Sequence, residues 1–400
     1  MLSRGIAIPL CCFLGTIAWG ADWPQWRGPN RDGISSETGL LDVWPKGGPP
    51  LVWKIQGLGE GYSSAAIAGG RLFLQGQHGD EEYVLAFDAN TGKQLWRAHT
   101  GIPFNESRGH GPRSTPTVDG DRLYALAADG MLVCLETATG KTIWGYNIVD
   151  HFHGSIPHWG ISESPLVDGD RVIVTPGGRG AAVVALDKTT GKLLWQSQSD
   201  SAGYSSPMIY DAGGARRVVV FTADAAMGLD LASGKLLWKY ERVANGVANI
   251  ATPIVHGGEI FLSSAYGTGC VLLNTGGGDA SEVYFNRDMQ NHYSTSVLVD
   301  GYLYGFSASI LTAMKFETGI VAWRDRSVGK GSLIFADGHL YALGEDGIVG
   351  LVEATPAGYR EISRFEIPKG AYPTWSQPVI SNGKLYLRDQ DNLFCYNIKK

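Results

Sequence analysis

Four residues could move protons or hold an anion if the fold gathers them. Glu163 sits in SESP (162–165), His292 and Tyr293 in NHYS (291–294), and Arg113 closes RGHGPR (108–113). A Glu, a His and a Tyr can act as general acid and base, while an Arg can bind a carboxylate or an oxyanion. A second set is metal-like. His151, His153 and His158 fall in IVDHFHGSIPHWGISES (148–164), with His110 nearby. The spacing H-x-H on an extended segment can ligate a metal, although Asp150 is the acid that accompanies it and solvated loop histidines give the same pattern. No Ser-His-Asp order, nucleophile elbow or phosphate loop is legible.

Whether these residues meet depends on the elements that carry them, and those elements repeat. ALDKTTGKLLW (185–195) returns as AFDANTGKQLW (86–96), CLETATGKTIW (134–144) and GLDLASGKLLW (228–238). Each is preceded by a phrase such as STPTVDGDRLYAL (114–126), in which apolar alternation on both sides of Asp-Gly describes a β-hairpin. The Thr-Gly-Lys turn then joins a third strand to a fourth, its Gly supplying positive φ, and the Trp is an outer-strand residue packing between units. First hairpins start near Ser63, Ser114, Glu163, Ser205, Ala251, Ser294, Ser332 and Ser376, but fourth strands follow only seven of them. PLVWKI (50–55) carries the same Trp without a hairpin before it and supplies the eighth. The fold class is therefore all-β, an eight-bladed β-propeller with four antiparallel strands per blade and the last blade closed by an N-terminal strand. Residues 50–400 form this one domain, and residues 21–49 are a leader packing on it.

In such a ring the lead-ins to the first strands line the central channel. Aligned on the repeat, one column reads Ser63, Ser114, Glu163, Ser205, Ala251, Thr295, Ser332 and Ser376. Glu163 breaks it, either as an acid/base group at the channel mouth or as an ion partner of Arg113 or Arg179. One residue earlier the column reads Tyr62, Arg113, Ser162, Tyr204, Ile250, Ser294, Gly331 and Trp375. Aromatic side chains with one Arg suit a sugar ring or a peptide, and the same side chains can also simply fill a channel. Trp159 and Arg179, on the loops of the same face, join the ligand-binding set.

Composition narrows the class. Residues 1–20 place Arg4 before an apolar run ending at Ala18 and Gly20, a secretory signal peptide cut before Ala21. The chain left after the cut carries 32 basic against 39 acidic side chains, a net charge of −7, and no Lys/Arg run, which argues against nucleic acid. No membrane span is expected, and the location is periplasmic or secreted. Cys134, Cys270 and Cys395 are too few and too distant for a disulfide framework and read as small core residues.

The repeat A-L-D-x-x-T-G-K-x-x-W resembles that of the quinoprotein-like, PQQ-repeat and BamB-like propellers of secreted bacterial proteins, and DWPQWRGPNRDGISSETGL (22–40) resembles their leader. For the enzymatic branch the resemblance implies pyrroloquinoline quinone above a pair of adjacent cysteines, with a Ca²⁺ site and an Asp base. The adjacent cysteines here, Cys11 and Cys12, lie in residues 1–20. No cofactor is expected on that ground. The reading is a monomeric binding or scaffolding module that takes a protein partner or a saccharide at its variable-loop face. The alternatives are a carbohydrate-active lyase or hydrolase using Glu163, His292 and Tyr293, and a PQQ- or metal-dependent oxidoreductase.

Overall fold

The computed structural model describes residues 22–400, so the signal peptide expected from the sequence, with its cut before Ala21, falls outside the described residues. Seven blades are built from consecutive antiparallel strands; blade 1, for instance, runs Ala66–Ala68, Arg71–His78, Glu81–Asp88 and Gln94–Gly101. Blade 8 takes Val379–Ser381, Lys384–Asp389 and Asn392–Asn397 from the C-terminus and Leu51–Gln56 from the N-terminus, with Ile55 opposite Leu393. The ring closes as the repeat count requires, and closure leaves the inner sheet edges facing one another.

Packing between blades explains the repeat phrase. Trp96, Trp144, Trp195 and Trp323 each donate the indole N–H to a carbonyl of the following blade: Thr137 (3.1 Å), Lys188 (3.1 Å), Leu231 (3.0 Å) and Thr355 (2.7 Å). The turn itself is held by the Asp that opens it. Asp187 accepts from the backbone N–H groups of Thr189 and Thr190 and from the Thr190 hydroxyl, which folds the chain so that Gly191 adopts φ 71°. Trp238 departs from this scheme and bonds the Tyr210 hydroxyl of its own blade at 2.8 Å. Cys134, Cys270 and Cys395 are buried, unpaired third-strand residues.

The channel is lined by hydroxyls that tie blade to blade. Ser64 N–H donates to Thr115 Oγ1 (3.2 Å), Thr115 N–H to Ser164 Oγ (2.9 Å), Ser164 N–H to Ser206 Oγ (2.9 Å), Thr252 N–H to Thr295 Oγ1 (2.9 Å), and Gln377 N–H to Ser64 Oγ (2.8 Å). These bonds correct the alignment read from sequence. Thr295 is the equivalent of Ser164 and Ser206, so Ser294 is the blade 6 counterpart of Glu163 and the register there slips by one residue.

The leader is not merely draped on the outside. Trp23 makes a reciprocal backbone pair with Ile67 of blade 1, Ile34–Ser35 adds a parallel strand to Phe335–Ala336 of blade 7, and Leu40 bridges to Lys399. Between these anchors residues 26–33 enter the channel from the side of the Asp-Gly turns.

A candidate binding site at the channel mouth

The floor comes from the leader. Arg27 donates to the carbonyls of Thr295 (3.0 Å) and Ser296 (2.7 Å) in blade 6, and Arg31 to those of Ser164 (2.9 Å) and Pro165 (3.1 Å) in blade 3. Both guanidinium groups are buried, and burial lowers their pKa, to about 10 for Arg27 and about 9 for Arg31. Carbonyl oxygens turned inward by the short first strands replace the water these cations have lost. Trp26, held by its indole N–H on Thr252 Oγ1 at 2.9 Å, faces the other way and forms part of a cavity of about 460 Å³.

That cavity opens at the face carrying the loops between blades. Its wall includes Tyr62, Trp375, Tyr293, His292, Tyr266, Tyr204 and Trp159, with Arg108, Arg113 and Lys330 between them. The rings contact one another in sequence: Tyr62 to Trp375 at 5.0 Å between centroids, Trp375 to Tyr293 at 5.5 Å, His292 to Tyr266 at 5.2 Å, and Tyr204 to Trp159 at 5.7 Å. Neighbouring planes are tilted by 36°, 30°, 49° and 48°. The wall is therefore a curved cup rather than a pair of parallel plates.

The electrostatics of the cup are one-sided, since no Asp or Glu is among its lining residues. Lys330 lies 5.4 Å from the Tyr293 ring and is paired with Glu345 (3.0 Å), a carboxylate that also accepts the Trp375 indole N–H at 2.5 Å. Arg113 sits over Phe104 (4.8 Å) and Tyr62 (5.7 Å), and its guanidinium donates to the carbonyls of Gly111 and Gly109 in its own loop. Among the described residues neither Arg113 nor Arg108 has a carboxylate within ion-pair distance. Glu82 lies behind the wall, where burial pushes its carboxyl up to about 8, so at neutral pH it is mostly protonated. His292 is lowered to about 4 by burial and by the Lys330 charge, and its neutral ring bonds the Tyr266 hydroxyl at 2.9 Å. Burial likewise raises the Tyr293 phenol, whose buried oxygen has no hydrogen-bond partner.

Of the residues singled out from sequence, Tyr62, Arg113, Tyr204, Trp375, Trp159, His292 and Tyr293 line this one cavity. Glu163 does not. It is 1% exposed; its Oε1 accepts from Thr175 N–H at 2.5 Å, and the charge that acts on it is that of Arg31, neither Arg113 nor Arg179. Burial pushes its carboxyl up to about 7. The physical reason is the leader, which fills the channel at that level and shuts Glu163 off from the mouth. Arg179 is exposed in a turn between Gly178 and Ala181 and is absent from the wall. The histidine loop is not an extended H-x-H segment either. His151 ends a short helix, Ile148–His151, capped by the Asn147 side chain, and its ring rests on Tyr146 and Phe152. Among the described residues no group of three His, Cys, Asp or Glu side chains, including His151, His153 and His158, is arranged to hold a metal.

Trp26, Arg108, Tyr266 and Lys330 were not legible as lining residues. Lys330 stands one place before Gly331 of the aligned column. Tyr266 comes from a loop between second and third strands, outside any column.

The wall also bears on the cofactor that quinoprotein-type propellers carry. No lining residue is a carboxylate that could bind a divalent ion or serve as a base, and the three described cysteines lie buried within blades 2, 5 and 8. The residues present do not fit quinone–metal chemistry.

Comparisons with known proteins point to one superfamily. A family model described as outer membrane protein assembly factor BamB matches residues 80–325. The quinohemoprotein alcohol dehydrogenase ADH IIB of Pseudomonas putida is 33% identical over 127 residues, which is 28% of this chain and 17% of that protein. The chain thus spans about a sixth of that curated relative, and at most about a third of others such as BamB of Kangiella koreensis (32%). Among solved structures, BamB from Moraxella catarrhalis aligns with a TM-score of 0.65 at 14% identity, covering 87% of this chain and 99% of that one. The quinohemoprotein alcohol dehydrogenase from Comamonas testosteroni aligns with a TM-score of 0.71 at 13% identity, covering 94% and 80%. At such identities the likeness is one of fold.

Proposed function

The chain belongs to the family described as outer membrane protein assembly factor BamB, and on that premise we propose that it is an exported binding module whose ligand enters the cup at the variable-loop face. The observation that carries this reading is the wall itself: a preformed cavity of about 460 Å³ with aromatic faces, three cations and no carboxylate. Such a concave, largely apolar site with a few polar groups is built to hold a ligand. Acid/base catalysis is less well supported. Glu163 faces the leader, the neutral His292 ring titrates near 4, and the Tyr293 phenol is held protonated. A general acid or base works best with a pKa near the operating pH, and neither His292 nor Tyr293 meets that condition.

A thermal-shift screen of water-soluble small molecules against the chain lacking residues 1–20, and against its Trp375→Ala variant, tests the reading. At least one compound should raise the melting temperature of the parent and leave that of the variant unmoved. A screen in which nothing stabilises the parent, or in which both respond alike, would overturn it.

A further inference from the structure

We propose that the ligand of this cup is an acidic saccharide, recognised through the carboxylate of a uronate-type pyranose ring. The inference rests on the binding-module reading and adds a chemical class to it. Charge is the first argument. Lys330 already has Glu345, but Arg113 is half-buried with no carboxylate partner, and Arg108 at the rim has none either. Two of the Arg113 N–H donors are spent on the Gly109 and Gly111 carbonyls, which fixes the guanidinium plane and leaves the remaining donors for an incoming oxygen pair. Glu82 and Glu106 act on Arg113 only from beyond ion-pair distance, so an anion entering beside the half-buried guanidinium supplies a close counter-charge.

Shape is the second argument. A flat conjugated acid is best held between parallel plates, whereas neighbouring rings here are tilted by 30° to 81° around a cup. A puckered pyranose offers C–H faces in several directions and matches such a wall. Its hydroxyls would also find polar groups, among them the unpartnered Tyr293 hydroxyl and the free His292 Nδ1. The volume, about 460 Å³, exceeds that of a single sugar ring and leaves room for a second unit toward the open mouth.

The experiment is calorimetric titration of the chain lacking residues 1–20 with D-glucuronate, D-glucose and benzoate, each at low and high salt. Glucuronate should bind at least about tenfold more tightly than glucose, with an affinity that falls as salt rises. Arg113→Gln should remove that preference, so that glucuronate binds no more tightly than glucose. Arg108→Gln, at an exposed position, should weaken glucuronate several-fold and guards against a folding defect in the first variant. Equal binding of glucose and glucuronate, or an Arg108→Gln and Arg113→Gln pair that leaves glucuronate untouched, overturns the acidic-saccharide assignment. Tighter binding of benzoate than of glucuronate overturns it in favour of an aromatic acid. No glucuronate binding, in a protein for which the thermal-shift screen still finds a Trp375-dependent ligand, overturns this assignment alone; an empty screen overturns the binding-module reading with it.

Discussion

Gly191 of blade 3 lies flat against the indole of Trp144 in blade 2: a β-carbon built on Gly191 would stand 2.8 Å from two of the ring carbons. The same contact joins Gly140 to Trp96 and Gly234 to Trp195. The glycine and the tryptophan of the repeat phrase are therefore partners across a blade boundary, each phrase supplying the Trp for the next phrase's Gly.

This pairing separates two glycines that share a backbone conformation. Gly191→Ala should cost about 2–5 kcal/mol, adding steric overlap to the strain of a left-handed alanine. Gly169→Ala, at φ 59° with open space around it, should cost only about 1–2 kcal/mol. Chemical denaturation of the two variants measures the difference, and equal losses would remove the indole contact from the account.

Trp195→Ala should lose about 3–5 kcal/mol, through apolar burial, the cavity left behind and the bond to the Leu231 carbonyl. A loss under about 1 kcal/mol would mean that the blades are not held at these positions.

Arg31→Ala should lower stability by about 2–4 kcal/mol, because it strips the Ser164 and Pro165 carbonyls of their donor and leaves Glu163 without the cation that faces it. Thermal unfolding of this variant beside an exposed-charge control such as Arg360→Ala reads the effect. An unchanged melting temperature would show that the leader can leave the channel freely.

Glu163 makes stability depend on pH in a defined direction. Its folded pKa of about 7 stands above the ordinary 4.5, so its contribution is fully present below pH 4.5 and is lost as pH rises through 7. Glu163→Gln does not titrate. The variant should therefore gain on the parent between pH 5 and pH 7.5, by on the order of 2–3 kcal/mol. A difference that stays constant over that window would place the carboxylate in water.

The ring and its closure could be read from the repeat because hairpin turns and blade contacts are local and recur in register. The two aligned columns also brought Tyr62, Arg113, Tyr204 and Trp375 to one place, since in a propeller equivalent positions share a height in the channel. What could not be read was the leader. Arg27 and Arg31 have partners 268 and 133 residues away, and nothing in a Gly- and Pro-rich segment marks its cations as buried. That gap is why Glu163 was placed at the mouth: its level in the channel was known, but not what occupied it.

Closure by Leu51–Gln56 has a consequence for the order of events in folding. Ile55 and its partner Leu393 are 393 − 55 = 338 residues apart, and Arg27 is 268 residues from Thr295. During synthesis the segment made first must therefore wait for almost the whole chain before its hydrogen bonds exist. Until then the inner edges of the early blades and the leader's own tryptophans stand open to other chains, and such distant pairings form slowly. The stretch that seals the finished ring is thus the one that spends longest unsealed, and a nascent chain released early, lacking blade 8, would carry both a loose plug and an open circle.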